Sequence, residues 1–234
     1  MTFYDAHPFV DNRGKQRLYK KKISKFINFN SLKGKKILDV GCGTGSVSNI
    51  MHSCGANVYA IDKSETSIKI VKKNYPMIKA KVGDALDIKF KENTFDYVIS
   101  LGVLHHTGNT YRGFKECVRV TKPGGKFLIL LHCKYSPYEY IYHLSRLILK
   151  KEMPEKIHKV WFWIMKKLME YYYKETVTYE QVRSMIADQF YTPINTFHSL
   201  KEIKQWAEAN VCSLIGTSKE PFGHYAFYYI EKLK

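Results

Sequence analysis

The chain has 234 residues, with 38 Lys or Arg against 21 Asp or Glu, a formal net charge of +17, and 45% hydrophobic residues. That is enough apolar side chain for one α/β core with an added cap, and no apolar run approaches the ~18 residues that a membrane span needs. Five cysteines (Cys42, Cys54, Cys117, Cys133, Cys212) without C-x-x-C spacing argue against a zinc framework or a disulfide scaffold and for a reducing cytoplasm.

Met1 to Asp5 lacks the basic-then-apolar pattern of an export signal. Only six of the basic residues are arginine. The lysine excess is either a basic partner surface or compositional drift on a solvated face. Residues 15–29 place Leu18, Ile23, Phe26 and Ile27 among lysines, which predicts an N-terminal helix on the sheet or over a ligand.

Lys36–Val40 reads as a first buried strand, and Ser46–Cys54 as a helix closed by Gly55. Between them Gly41, Gly43 and Gly45 fall at alternate positions. Such a turn brings backbone N–H groups and a helix N-terminus close to a ligand. The spacing is neither the G-x-G-x-x-G of dinucleotide sites nor a P-loop. Asp39, just before the first glycine, would repel a pyrophosphate and accept from a cationic amine.

Asn57–Ile61 is a second strand ending at Asp62, 21 residues after Gly41. An acid there suits the two hydroxyls of a ribose; the competing role is a cap for the helix 64–74. Lys79–Val82 is a short third strand with Gly83, Asp84 and Ala85 at its tip, and Asp87 competes with Asp84 as the acid of that tip. Phe95–Ser100 is a central strand leading into Leu101-Gly102-Val103-Leu104-His105-His106-Thr107. A helix over 111–120, a tight turn over 122–126 and a strand over 127–131 follow, with His132 at the strand end. This alternation predicts a doubly wound parallel sheet, with Asp39, Asp62, Asp84 and Leu101 at the carboxyl ends where ligands bind.

About sixty-five residues, 134–198, then intervene. Helices are predicted over 138–151 and 156–173, with Trp161, Ile164, Met165, Leu168 and Met169 at helical spacing. They form either a lid over an acceptor pocket or a basic, aromatic helix for a membrane surface or RNA. Ser199 with Glu202 fits a capping box one position removed from its fullest form, opening a helix over 202–210. Residues 212–216 and 225–230 complete the sheet.

Ile37-Leu38-Asp39-Val40-Gly41-Cys42-Gly43-Thr44-Gly45 resembles motif I of the class I S-adenosylmethionine (SAM)-dependent methyltransferases, in their small-molecule branch (methyltransferase type 11). Leu101–Thr107 resembles the family's motif IV, and Arg119 through Leu131, with its Lys-Pro-Gly-Gly turn, is similar to its fifth-strand segment. The resemblance covers residues 15–133. It implies an α/β fold with a mostly parallel seven-stranded sheet. An N-terminal helix and a helical lid, inserted before the last two strands, complete it. The chain would then be one domain over 1–234: a cap (1–32), a SAM-binding core (33–133), a lid (134–198) and a final helix and strand pair (199–234).

The implied cofactor is SAM, held by Asp39, Gly41, Cys42, Gly43, Asp62, Lys63, Asp84, Ala85, Leu101 and His106. Asp84 would accept from the adenine amino group and the Leu101 tip would hold the methionine moiety. Phe3-Tyr4-Asp5 would fold over the methionine end, or else pack two aromatics on the core. Methyl transfer from a sulfonium is an in-line displacement whose leaving group is already activated, so positioning dominates. His106 is the candidate base or acceptor orienter. Tyr4, His132, Tyr191 and His198 are candidates to line the acceptor site. No metal constellation is visible in the sequence, and the reaction requires none. The expected partner is a small-molecule acceptor. RNA is the alternative, since some wobble-uridine enzymes share the Leu-His-His segment, and a scaffold without turnover is a third reading. No Asn/Asp-Pro-Pro-Tyr/Phe clamp and no Pro-Cys pair supports methylation of a nucleobase by those routes.

Overall fold

The computed structural model describes residues 13–148, 155–220 and 224–234. Seven strands, β1 (Lys36–Val40), β2 (Asn57–Asp62), β3 (Lys79–Val82), β4 (Phe95–Leu101), β5 (Thr121–His132), β6 (Cys212–Lys219) and β7 (Tyr225–Lys232), form one sheet in the order β3-β2-β1-β4-β5-β7-β6. The first five are parallel, and β7 runs antiparallel between β5 and β6. The strand order reverses between β1 and β4, which opens a crevice at their carboxyl ends.

Strand β1 shows why the sheet sits at the centre. Ile37, Leu38, Asp39 and Val40 are all buried, as a parallel strand covered on both faces must be. On one face pack α1 (Arg13–Ile23), α2 (Ser46–Ser53) and α3 (Glu65–Asn74), whose Ile23, Ile50, Met51 and Val71 meet Ile37, Ile99 and Leu128. On the other, α4 (Thr110–Val120) and α8 (Leu200–Ala209) bring Phe114, Cys117 and Ile203 against Leu38, Val98 and Phe127.

The intervening segment holds α5 (Pro137–Ile148), α6 (Glu155–Tyr173) and α7 (Tyr179–Ile186), the last running into one π-helical turn at Ala187–Tyr191. Met169, Val182, Ile186 and Phe190 make a small core of their own there. No helix among the described residues is long and apolar enough to cross a membrane.

Several expected boundaries move. The N-terminal helix stops at Ile23, and Ile27 is buried beyond it. The Lys122–Gly125 turn lies inside β5: Thr121 pairs with Phe95 and Lys126 with Tyr97, so four residues bulge opposite Asp96. Helix α7 was not expected. It is two turns long and follows the β-branched pair Val177-Thr178, yet Thr178 and Gln181 close a full capping box at its start. The final helix begins at Leu200 rather than Glu202, because Ser199 is its N-cap and Glu202 its third residue. The capping box there is therefore complete: the Glu202 N–H donates to Ser199 Oγ at 3.2 Å and the Ser199 N–H to Glu202 Oε2 at 3.4 Å.

Removing that cap should cost about 1 kcal/mol. We expect Ser199→Ala to lower the urea midpoint accordingly with an unchanged m-value; an unshifted midpoint would show that α8 is held by its packing alone.

Candidate functional site

The glycine turn after β1 carries its chemistry in the backbone. Gly41 has φ +73°, and a Cβ there would lie 2.3 Å from a methyl group of Val103, which follows β4. Only glycine lets the β1 turn and the segment after β4 meet this closely. The Gly41 and Cys42 N–H groups donate to the Ile61 carbonyl at 2.7 and 3.0 Å, which locks the turn to β2. Cys42 is buried, and burial, then Asp39 and Asp62, push its thiol well above its ordinary value. It is a packing thiol.

Asp39 points beneath α2, where Ser48 Oγ donates to its Oδ2 at 2.6 Å. Burial pushes its carboxyl up to about 7, offset in part by Ser48 and raised further by Asp62. A buried carboxyl in this state gains most from a cationic neighbour.

Asp62 is held from two sides. Its Oδ2 accepts the Gly43 N–H at 2.8 Å and its Oδ1 the Ser64 N–H at 2.8 Å. The N-cap of α3 is Ser64, whose Oγ accepts from Ser67. Asp62 instead ties the glycine turn to the end of β2. At the next strand tip, Asp84 accepts the Leu86 N–H at 2.8 Å and pairs with Lys63 at 3.1 Å. Partial burial pushes Asp84 up, but Leu86, Lys63 and Arg112 together outweigh it and hold the carboxyl below its usual range. Asp87 pairs with Lys89 instead, at 2.6 Å. Ala85 is buried beside them.

Leu101 ends β4 half-buried, and a 3₁₀ turn over Leu104–His106 follows. His106 Nδ1 lies 2.9 Å from the Ile194 carbonyl, and its Nε2 lies 3.7 Å from Asp188 Oδ1. A carbonyl only accepts, so His106 Nδ1 carries a hydrogen. His105 is wholly buried against His106 and His132, with ring centroids 4.1 and 4.2 Å apart. His132, at the end of β5, is sandwiched between Tyr225 and Tyr138 at 4.2 and 4.9 Å, and its Nδ1 lies 3.2 Å from the His224 carbonyl. Burial, then the neighbouring His106, push His105 and His132 well below the usual imidazole range.

The fold thus gathers Asp39, the glycine turn, Asp62, Lys63 and Asp84 along β1 to β3, and Leu101, His106 and His132 beyond β4 and β5. His198 is committed elsewhere: its nitrogens meet Glu202 and Thr196, each at 3.0 Å, and its ring packs on Trp206. Tyr191 is 42% exposed at the end of the π turn. Tyr4 lies outside the described residues. Sequence reasoning missed Ser48, Asp188 and Tyr225. Asp188 opens the acid-aromatic-proline stretch Asp188 to Pro193, and the π turn there brings it to His106.

Residues 38–129 match the methyltransferase-domain family. A demethylmenaquinone methyltransferase of Streptomyces avermitilis is 33% identical over 142 residues, 59% of this chain and 60% of that protein. The chain spans about three fifths of the length of the curated relatives it matches. Among solved structures, a Pyrococcus horikoshii protein superposes with TM-score 0.62 at 20% identity, covering 99% of this chain and 98% of its own. Magnesium protoporphyrin IX methyltransferase from Synechocystis, with S-adenosylhomocysteine bound, does so with TM-score 0.61 at 15% identity, covering 97% and 90%.

The raised Asp39 carboxyl has a consequence for stability. Between the unfolded carboxylate range and about pH 7 the folded chain keeps a proton that the unfolded chain has released. That contribution is full below the unfolded pKa and is lost as pH rises through about 7. We expect Asp39→Asn to gain on the ligand-free wild type by roughly 2 kcal/mol or more between pH 5 and pH 8 in urea unfolding. A difference independent of pH would refute the assignment.

Proposed function

We propose that this chain is a class I SAM-dependent methyltransferase that transfers the methyl group of SAM to an O, N or C atom of a small-molecule acceptor held under its helical segment, a reading that the methyltransferase-domain match over residues 38–129 supports. One observation carries the reading: Asp39, the glycine turn, Asp62 and Asp84 stand at or just past the carboxyl ends of β1, β2 and β3, and His106 follows the carboxyl end of β4, the strand beside β1. Asp39 and the turn would receive the methionine end, with the ammonium relieving the buried carboxyl. Asp62, already fixed by two N–H groups, would take the ribose hydroxyls. Asp84, with Lys63 on its other oxygen, would face the adenine amino group. Cys42, Ala85 and Leu101 would contribute walls.

On the acceptor side, His106 would take the proton that an O–H or N–H acceptor releases, at Nε2. Asp188 is placed to stabilise the imidazolium that results. His132 and Tyr191 would border the acceptor, with residues 134–198 as the cover that excludes water. His198 would act through the α8 cap that it joins to β5. The names of the relatives, a quinone-precursor methyltransferase and a porphyrin methyltransferase, support a small, largely apolar acceptor. Five free cysteines agree with a cytoplasmic setting.

Calorimetric titration should show SAM uptake, and a labelled methyl group should pass to a member of a panel of phenolic, quinol and amine acceptors with little dependence on salt. Absence of SAM binding would end this reading; turnover only on RNA, weakening steeply with salt, would replace its acceptor class. Asp62→Ala should weaken SAM binding by about 100-fold or more, since two hydroxyls lose a charged acceptor. Unchanged affinity would mean that the cofactor lies elsewhere. His106→Ala should slow turnover by roughly 100-fold while SAM affinity is nearly kept; wild-type turnover would remove the base.

A further inference from the structure

We infer that His105, His106 and His132 form a binding site for one divalent transition-metal ion of the zinc class. One ring nitrogen of each lies within 4.8 Å of those of the other two. Nothing in local sequence spacing announces the set. His105 and His106 are neighbours in a 3₁₀ turn, and His132 arrives only because β5 lies beside β4 in parallel register, Leu101 against Leu130.

Two features of these rings point to an ion rather than to packing. First, they hold buried nitrogens without hydrogen bonds: both of His105, which leans on the Leu130 carbonyl without hydrogen-bond geometry, and Nε2 of His132. Each such atom is unfavourable unless a ligand satisfies it. Second, the outer nitrogens are fixed. His106 donates from Nδ1 to the Ile194 carbonyl and His132 from Nδ1 to the His224 carbonyl, at 2.9 and 3.2 Å. This is how metal-binding imidazoles are held, and it leaves Nε2 as the ligand atom in both.

An all-imidazole set suits zinc, cobalt or nickel better than magnesium or calcium. Bonds of about 2.0–2.1 Å require the nitrogens to draw closer than they stand, by side-chain rotation. Asp188, 3.7 Å from His106 Nε2, is the nearest carboxylate for a fourth position. The inference does not rest on the proposed reaction. With an ion bound, His106 Nε2 is a ligand, and the base role proposed for it belongs to the ion-free chain.

The test uses the full chain, stripped with a chelator and titrated with Co²⁺. We expect one equivalent to bind with visible ligand-field bands of low-coordinate cobalt, displaced by Zn²⁺. His105→Gln and His132→Gln should each weaken binding by about 100-fold or more, while His52→Gln leaves it unchanged. No bands, or binding that survives both substitutions together, would overturn the site. Should the variants not fold, X-ray absorption of the zinc-loaded wild type decides: three imidazoles in the inner shell uphold it, and sulfur or a single imidazole refutes it.

Discussion

Two N–H groups, from Gly43 and Ser64, converge on the Asp62 carboxylate. That clamp joins the turn after β1 to the turn after β2, and the crevice wall depends on it. The turn cannot be held this way with a side chain at Gly41, because Val103 stands where a Cβ would be. The clamp therefore couples three strand ends. It also gives the carboxylate a fixed direction before any ligand arrives, so little ordering is left for binding to impose.

A second constraint acts beneath the first. Asp39 lies one layer under the turn, shielded from water and close enough to Asp62 to feel its charge. Two acids facing one small crevice are unfavourable without a cation. The fold tolerates the tension because Ser48 donates to one of them and backbone amides to the other. A ligand that brings an ammonium and a diol relieves both at once, and a polyphosphate relieves neither.

Much of this was legible in the sequence because it is local. Gly41, Gly43 and Gly45 mark their own turn, and Asp62 and Asp84 end their own strands. What was not legible is what distant segments bring together. Ser48 reaches Asp39 only through α2 lying on β1. Asp188 reaches His106 through a π turn that no residue pattern announces. The histidine group forms from the register of β4 and β5. The complete Ser199 capping box was open to a closer reading of the spacing. Tyr4 and its neighbours fall outside the described residues.

The two halves of the crevice are built differently. The half formed by β1, β2 and β3 shares the two large cores of the sheet. The helical segment between β5 and β6 has its own small core around Met169, Val182 and Phe190. It meets the sheet through polar joints near the histidines: Thr196 N–H to the His105 carbonyl, His198 N–H to the His132 carbonyl, and the Thr110–Thr196 hydroxyl pair. A cover with an independent core can change its lining without disturbing the strand ends beneath. On the proposed reading, acceptor choice is set by helices that the strand pattern does not specify, and the reacting geometry stays with the strand tips, where the Ile194 carbonyl fixes the orientation of the His106 ring.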